Sequence, residues 1–233
     1  MMKKRVYTYL NIFIYAVLAG ISIGLGGLVF LRMKNAFAGS DVIGALLFTV
    51  GLFIICTRGY NLFTGKVCYS LDNKLNYIIN LVVIWIGNII GTTLLSLVLK
   101  PTVIYHDISS VAIKMVQSKI DSGYLSLFLL GIICNIFIFI AVDGFKNNKH
   151  ELGKYLSLFL GVSIFIICGS EHCVADMFYF GISGMLFKKF GISILCLLVV
   201  TLGNIIGGLL YPGLEKIHSK LEKNRRNFKC LII

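Results

Sequence analysis

The chain has 233 residues, of which 58% are hydrophobic and 14% are charged, whereas about a quarter of the residues of a soluble domain are charged. This composition excludes an ordinary soluble protein and leaves room for about six membrane-crossing helices with short loops. The net charge of +12 does not indicate a nucleic-acid partner, because the positions of the basic residues around apolar segments explain it better. We predict one all-α membrane domain over residues 1–233.

Apolar segments of spanning length predict six transmembrane helices. In chain order they lie at about residues 9–31, 42–57, 75–99, 124–142, 156–168 and 191–211. The second and fifth are too short to cross alone, and each is followed by a polar stretch and a further apolar segment. One helix over residues 155–187 would measure about 50 Å, against a hydrocarbon core of about 30 Å. We therefore expect the second and fifth helices to be broken.

A five-residue motif, G-N-I-I-G, occurs at residues 87–91 and again 116 residues later at residues 203–207. Three crossings in each half are an odd number, so the halves should enter the membrane from opposite sides. This predicts an inverted repeat of residues 9–100 and 124–211, and paired interrupted helices in such repeats indicate a central substrate site. Close helix packing and an asparagine hydrogen bond explain the motif without placing Asn88 or Asn204 in a pore.

The distribution of basic residues predicts the orientation in the membrane. With both termini in the cytoplasm, cytoplasmic segments hold thirteen of the 22 lysines and arginines and outer segments hold seven. The basic tail, residues 212–233, is expected to be solvated and to touch anionic lipid. The protein should be integral to a bacterial-type plasma membrane.

His172 is the histidine that lies deep in an apolar stretch, beside Glu171 and inside the second predicted break. An ionisable residue at membrane depth is costly and indicates a functional site. The alternative is a buried imidazole whose hydrogen bonds are satisfied by backbone carbonyls. The seven cysteines have no metal-binding spacing, and we expect no cofactor.

The sequences at the two breaks resemble the signature loops of the formate/nitrite transporter family. Residues 62–65 (L-F-T-G) and 169–178 (G-S-E-H-C-V-A-D-M-F) carry this resemblance, and residues 131–135 and 202–208 are similar to further family motifs. The resemblance spans nearly the whole chain. It implies an aquaporin-like protomer, a homopentamer with one pore per subunit, and passage of small monovalent anions such as formate, nitrite or hydrosulfide.

The resemblance also implies which residues border the pore. Thr64 and His172 would form a central pair, Lys119 would be the lysine of a vestibule, and Asn135 would lie near the path. The implied constrictions are Phe48 and Leu52 on the cytoplasmic side, and Phe63, Ile138 and Phe165 on the outer side. Phe48 and Leu52 are four residues apart, so they share a helix face.

Four residues depart from the family pattern that the resemblance implies. Lys66 replaces the asparagine that follows L-F-T-G, Asn61 the acidic residue before that motif, Leu130 an arginine before Gly131, and Asp176 the asparagine of V-A-N-M. Lys66 either lies near the conduction path and favours anions, or forms a structural ion pair with Asp176 or Glu171.

The mechanism that these residues suggest removes the charge of the anion before it passes the apolar constrictions. Lys119 would concentrate the anion, and His172, hydrogen-bonded to Thr64, would relay a proton to it so that the neutral acid crosses. A rival mechanism keeps His172 neutral as a hydrogen-bond donor to the anion. Two other functions are an aquaporin-like channel for neutral solutes and a membrane-embedded enzyme with His172 and Glu171 as acid and base.

Overall fold

The computed structural model describes residues 2–34 and 36–230, and the side chains of residues 6–34 and 36–225. The described part of the chain is all-helical, with one additional 3-10 turn at Ser70–Asp72. The helices are α1 (Met2–Met33), α2 (Ser40–Arg58), α3 (Phe63–Val67), α4 (Tyr77–Leu99), α5 (Tyr105–Asp121), α6 (Tyr124–Asn147), α7 (Glu151–Ile167), α8 (Cys173–Ile182), α9 (Met185–Lys188) and α10 (Phe190–Cys230). The basic side chains at positions 3–5, 226 and 229, which entered the orientation prediction, lie outside the described side chains, and the last three residues of the tail lie outside the described residues.

Several helices have the length and composition of membrane spans. Among the described residues there are five, namely Val6–Met33, Ser40–Arg58, Tyr77–Leu99, Tyr124–Asn147 and Phe190–Arg225. Helix α7, with 17 residues, contains residues 156–167 of the fifth predicted segment, and the apolar α8, with 10 residues, follows it. The prediction of an all-α protein rich in apolar helices is confirmed.

Short loops separate α2 from α3 and α7 from α8. Helix α2 ends next to Gly59, which has a φ of 70°, and the turn after α7 contains Gly169, with a φ of 65°. This left-handed backbone favours glycine, which explains why both helices end there. We call residues 59–62 the first loop and residues 168–172 the second loop.

Glycines allow the main helix pairs to approach closely. Helix α1 packs against α2 and α4, and α6 packs against α7 and α10. A Cβ atom at Gly91 would lie 2.1 Å from the carbonyl oxygen of Val17, and one at Gly207 would lie 2.1 Å from that of Ile132. Both glycines end a G-N-I-I-G motif, so the recurrence of the motif reflects two equivalent close contacts between helices.

Helix α5 is not predicted by the search for apolar runs. Its buried residues Ile108, Ala112 and Val116 recur every four positions, which makes a single apolar stripe on an otherwise polar helix. The stripe packs against α8 and α1. Helix α5 matters for the site because it carries Lys119 near its C-terminus.

Helix α10 continues past its predicted end at residue 211, through Pro212 and into the basic tail. A proline removes one helical hydrogen bond without necessarily ending the helix. One turn later, the Nζ of Lys216 donates to the carbonyl of Leu71 at 2.6 Å and lies 2.6 Å from the carboxylate of Asp72. The start of the tail is therefore helical and contacts the 3-10 turn, while most of its described residues from 214 to 225 are exposed.

Candidate functional site

Asn88, a fully buried residue of α4, holds the first loop in place. Its Oδ1 accepts a hydrogen bond from the backbone N–H of Phe63 at 2.9 Å. Its Nδ2 donates to the carbonyls of Ala16 at 2.8 Å and Asn61 at 3.0 Å. One side chain thus supplies the partners that the backbone lacks where the helical pattern stops.

Asn204 of α10 makes the same three kinds of bond to the second loop. Its Oδ1 accepts from the backbone N–H of Cys173 at 2.9 Å, and its Nδ2 donates to the carbonyls of Gly131 and Glu171, both at 2.8 Å. The asparagine of each G-N-I-I-G motif therefore fixes one loop. This matches the packing explanation of the motif and leaves both asparagines in structural positions.

Replacing Asn204 with alanine should lower the free energy of unfolding by about 3 kcal/mol, because it leaves one buried N–H and two buried carbonyls without this partner. Asn88→Ala should cost a similar amount. Unfolding of the detergent-solubilised protein measures both, with Asn76→Ala as the control, since Asn76 is exposed and its side chain does not cap α4. Losses no larger than that of the control would contradict the assigned role.

His172, the last residue of the second loop, is only 2% exposed and has a hydrogen-bond partner at each ring nitrogen. Its Nδ1 accepts from the backbone N–H of Ala175 at 3.1 Å, and its Nε2 lies 2.9 Å from the Oγ1 of Thr64. Because a backbone N–H can only donate, Nδ1 must carry the lone pair, and a neutral ring then has its proton on Nε2. His172 is therefore arranged as a neutral donor to Thr64.

The ring of His172 borders a cavity of about 170 Å³, which we call the Lys119 cavity. Its wall includes Phe48, Phe165, Lys119 and Asp176. The ring stacks on Phe165, with centroids 5.6 Å apart. The imidazole is buried among side chains, yet it lies at the edge of an open space rather than within a sealed core.

Lys119 enters this cavity between two carboxylates. Its Nζ is hydrogen-bonded to Glu171 and lies 3.0 Å from Asp176. Burial alone would lower the pKa of Lys119, but the two carboxylates outweigh burial and raise the pKa above its ordinary value. Among the described residues, the second oxygen of Asp176 is buried without a hydrogen-bond partner.

Both ammonium groups in the wall of the Lys119 cavity have carboxylate partners. Lys34, the other lysine in its wall, pairs with Asp41 at 2.8 Å. Lys34 and Lys119 thus face three carboxylates, those of Asp41, Glu171 and Asp176. Lys119, for which the resemblance implied a place in a vestibule, lines this cavity, and its charge is already compensated by carboxylates.

A larger cavity of about 690 Å³ is lined by residues on both sides of Thr64 in the chain, and we call it the Lys66 cavity. Leu52, Leu62, Gly65 and Lys66 contribute to its wall. Lys66 therefore lies away from the carboxylates that the sequence analysis offered as its partners. The structure corrects that alternative, because Lys119 makes the ion pair with Glu171 and Asp176.

The implied constrictions are grouped differently in the structure. Phe48 lies edge-on to Phe165, with centroids 6.1 Å apart, and both line the Lys119 cavity. Leu52 lines the Lys66 cavity instead. Phe48 and Leu52 share a helix face, as expected, but one turn of α2, about 5.4 Å, places them at the ends of different cavities.

Two further residues of the implied outer constriction lie elsewhere. Phe63 faces an apolar groove that also contains Trp85 and Leu198, and Ile138 is buried with 2% exposure. Neither Phe63 nor Ile138 is among the described side chains that form the wall of the Lys66 cavity or of the Lys119 cavity.

Asn135 is buried and links α3 to α10. Its Nδ2 donates to the carbonyl of Thr64 at 3.2 Å and to that of Asn204 at 2.7 Å. Asn135 thereby fixes the helix that presents Thr64 to His172. Lys146 and Tyr69 also line the Lys66 cavity, and no sequence motif marks these two residues as part of a site.

Comparison with known proteins places these observations in a family. A family model described as formate/nitrite transporter matches residues 1–216. The chain is 25% identical to the formate channel FocA of Haemophilus influenzae, with 86% of this chain and 84% of that protein covered. It is 26% identical to the formate-nitrite transporter of Plasmodium falciparum, with 99% and 88% covered.

Solved structures of the same fold are also similar. A pentameric formate channel with formate bound has a TM-score of 0.77 at 24% identity, covering 92% of this chain and 98% of that chain. An ion channel of the same family has a TM-score of 0.76, also at 24% identity, with 90% of each chain covered. These relatives and neighbours are transport proteins and not enzymes, which argues against the membrane-embedded enzyme.

Proposed function

The chain belongs to the formate/nitrite transporter family, and on that premise we propose that it conducts small monovalent anions of weak acids, such as formate, nitrite or hydrosulfide. The observation that carries this proposal is the Thr64–His172 hydrogen bond of 2.9 Å at the edge of the Lys119 cavity. A polar pair buried between two cavities is the arrangement expected at the centre of a selective path.

We propose that α2 with α3, and α7 with α8, each form one interrupted crossing, which gives six crossings in two inverted halves with an aquaporin-like arrangement. The equivalent bonds of Asn88 and Asn204 support this proposal. Both termini would then lie on one side, which the positive-inside rule makes the cytoplasm of a bacterial-type cell.

A homopentamer in lipid is the proposed assembly. The solved neighbour described as a pentameric formate channel supports the subunit number. The outer surface of the protomer supports burial by lipid and neighbouring subunits, since Ile78, Val82 and Ile86 of α4 are all exposed and large apolar surfaces are covered in mature assemblies.

The proposed path runs from one cavity to the other past Thr64 and His172. Phe48 and Phe165 flank it on the Lys119 side, and Leu52 lies on the Lys66 side. An unpaired ion loses several kcal/mol of solvation among such apolar groups. A hydrogen-bond donor or a proton from His172 would reduce this cost.

Two forms of the mechanism differ in what His172 does. In the first, His172 relays a proton and the neutral acid crosses, which requires the Ala175 bond to open before Nδ1 can take up a proton. In the second, neutral His172 donates a hydrogen bond from Nε2 to the anion. The second form needs no such opening, so the geometry favours it, and the two forms differ in their dependence on pH.

Replacing His172 with phenylalanine should reduce formate flux into proteoliposomes at least tenfold, because the path then loses its buried donor. Flux of formate, nitrite, hydrosulfide, acetate and chloride is measured across a pH series. A wild-type flux that follows the anion concentration supports the neutral donor, and one that rises with proton supply supports the relay.

The exposed His150→Phe variant is the control. Undiminished, pH-independent flux through His172→Phe would remove His172 from the mechanism. Osmotic swelling with water or glycerol should remain near background, and rapid swelling would favour the aquaporin-like alternative.

A further inference from the structure

The Lys66 cavity has an excess of positive charge. The charged side chains in its wall are Lys66, Lys146, Lys154 and Glu151. Glu151 lies 2.5 Å from Lys154 and compensates that lysine. Within the described part of the chain, Lys66 and Lys146 form no ion pair, so two ammonium groups in one cavity lack a carboxylate partner.

The surroundings of these two lysines position them without neutralising them. The Nζ of Lys146 lies over the ring of Tyr69, 4.1 Å from its centroid. The hydroxyl of Tyr69 donates to Asp143 at 3.3 Å, and Asn147 donates to the same carboxylate oxygen at 2.7 Å. Asp143 is thus occupied by neutral donors.

Lys66 is fixed from the backbone side. Its carbonyl accepts a hydrogen bond from the hydroxyl of Tyr77 at 3.1 Å, at the end of α3. The residue is half-buried and lies two positions after Thr64. Its side chain lines the Lys66 cavity, next to the proposed path.

We infer that the Lys66 cavity contains an anion-binding site formed by Lys66 and Lys146, and that it takes the transported small monovalent anion. Lys66 is half-buried and Lys146 is exposed. The two like charges in one cavity repel each other, and an anion between them replaces that repulsion with two attractions. Each ammonium group offers three N–H donors to a carboxylate or similar anion. This inference rests on the proposed function, since the ligand is the proposed substrate.

The site gives the path a polarity. The Lys66 cavity has two ammonium groups without a carboxylate partner among the described residues, whereas both lysines in the wall of the Lys119 cavity are paired with carboxylates. A passive channel cannot change the equilibrium, but it can bind its substrate more tightly on one face. The half-saturating anion concentration should therefore be lower on the Lys66 face.

The test compares Lys66→Asn and Lys146→Gln with Lys149→Gln, which removes an exposed lysine outside the cavity wall. Sodium formate is titrated at constant ionic strength, and thermal stabilisation of the detergent-solubilised full chain reports binding. Flux is measured in right-side-out and inside-out vesicles. In Lys66→Asn and in Lys146→Gln, the formate concentration that gives half-maximal stabilisation should be about tenfold higher than in the wild-type chain. The formate concentration that gives half-maximal flux from the Lys66 face should rise by the same factor.

The outcomes separate the site from the function. Suppose that formate stabilises the wild-type chain, that both variants lose this stabilisation, and that the wild-type chain conducts no anion. This result would support the site and contradict the proposed function. If both variants conduct formate, and if their half-saturating concentration and their stabilisation by formate equal those of the wild-type chain, the site is contradicted and the proposed function stands. An equal effect of Lys149→Gln, or no formate-dependent stabilisation of the wild-type chain, would also overturn the site.

Discussion

Replacing Asp176 with asparagine should lower about tenfold the formate concentration that half-saturates flux from the Lys119 face. Lys119 now faces both Glu171 and Asp176, so with all three groups ionised the cluster carries one net negative charge. Removal of one carboxylate leaves a neutral pair and relieves the repulsion of an approaching anion. At an effective dielectric constant of about 20, a unit charge at about 6 Å contributes roughly 3 kcal/mol, of which about half suffices for a tenfold change.

Initial rates of labelled formate uptake in oriented vesicles measure this effect. Asp107→Asn is the matched control, because it also removes a carboxylate, but from an exposed pair with Arg32. An unchanged half-saturating concentration in Asp176→Asn would mean that Asp176 already holds a proton in the resting protein. The carboxylate excess would then be absent, and the polarity of the path would depend on the Lys66 cavity alone.

The helices that follow from long apolar runs were predictable because their composition alone distinguishes them from loops. Helix α5 was not, since only Ile108, Ala112 and Val116 are buried along it, and such a stripe gives little total hydropathy. The extension of α10 was missed for a different reason. Pro212 suggests a helix end, while the contact of Lys216 with Asp72 depends on a turn distant in sequence.

The central pair of the site was predictable, but its electrostatics were not. His172 is marked by its depth in an apolar segment, and the family resemblance pointed to Thr64 and Lys119. Which lysine neutralises Asp176 depends on how α5 packs against α8, and nothing local in the sequence encodes that packing. Periodicity correctly places Phe48 and Leu52 on one face of α2, but it does not specify their depth along the path.

Replacing Lys119 with methionine should lower the free energy of unfolding by about 3–5 kcal/mol, because it leaves two buried carboxylates without their cation. Glu171 and Asp176 are 5% and 2% exposed, so water cannot solvate them in place of the ammonium group. Denaturant unfolding in detergent measures the loss. As a control, Arg32→Met breaks an exposed pair with Asp107 and should cost less than about 1 kcal/mol.

The decisive comparison is the same substitution in a background that lacks the two charges. In Glu171→Gln/Asp176→Asn, Lys119→Met should cost much less, because no buried carboxylate remains to be stranded. An equal loss in both backgrounds would mean that Lys119 stabilises the fold by other contacts, such as its position 6.0 Å from the ring centroid of Tyr179. A smaller loss in the uncharged background would identify the cluster as an ion network built around Asp176 and Glu171.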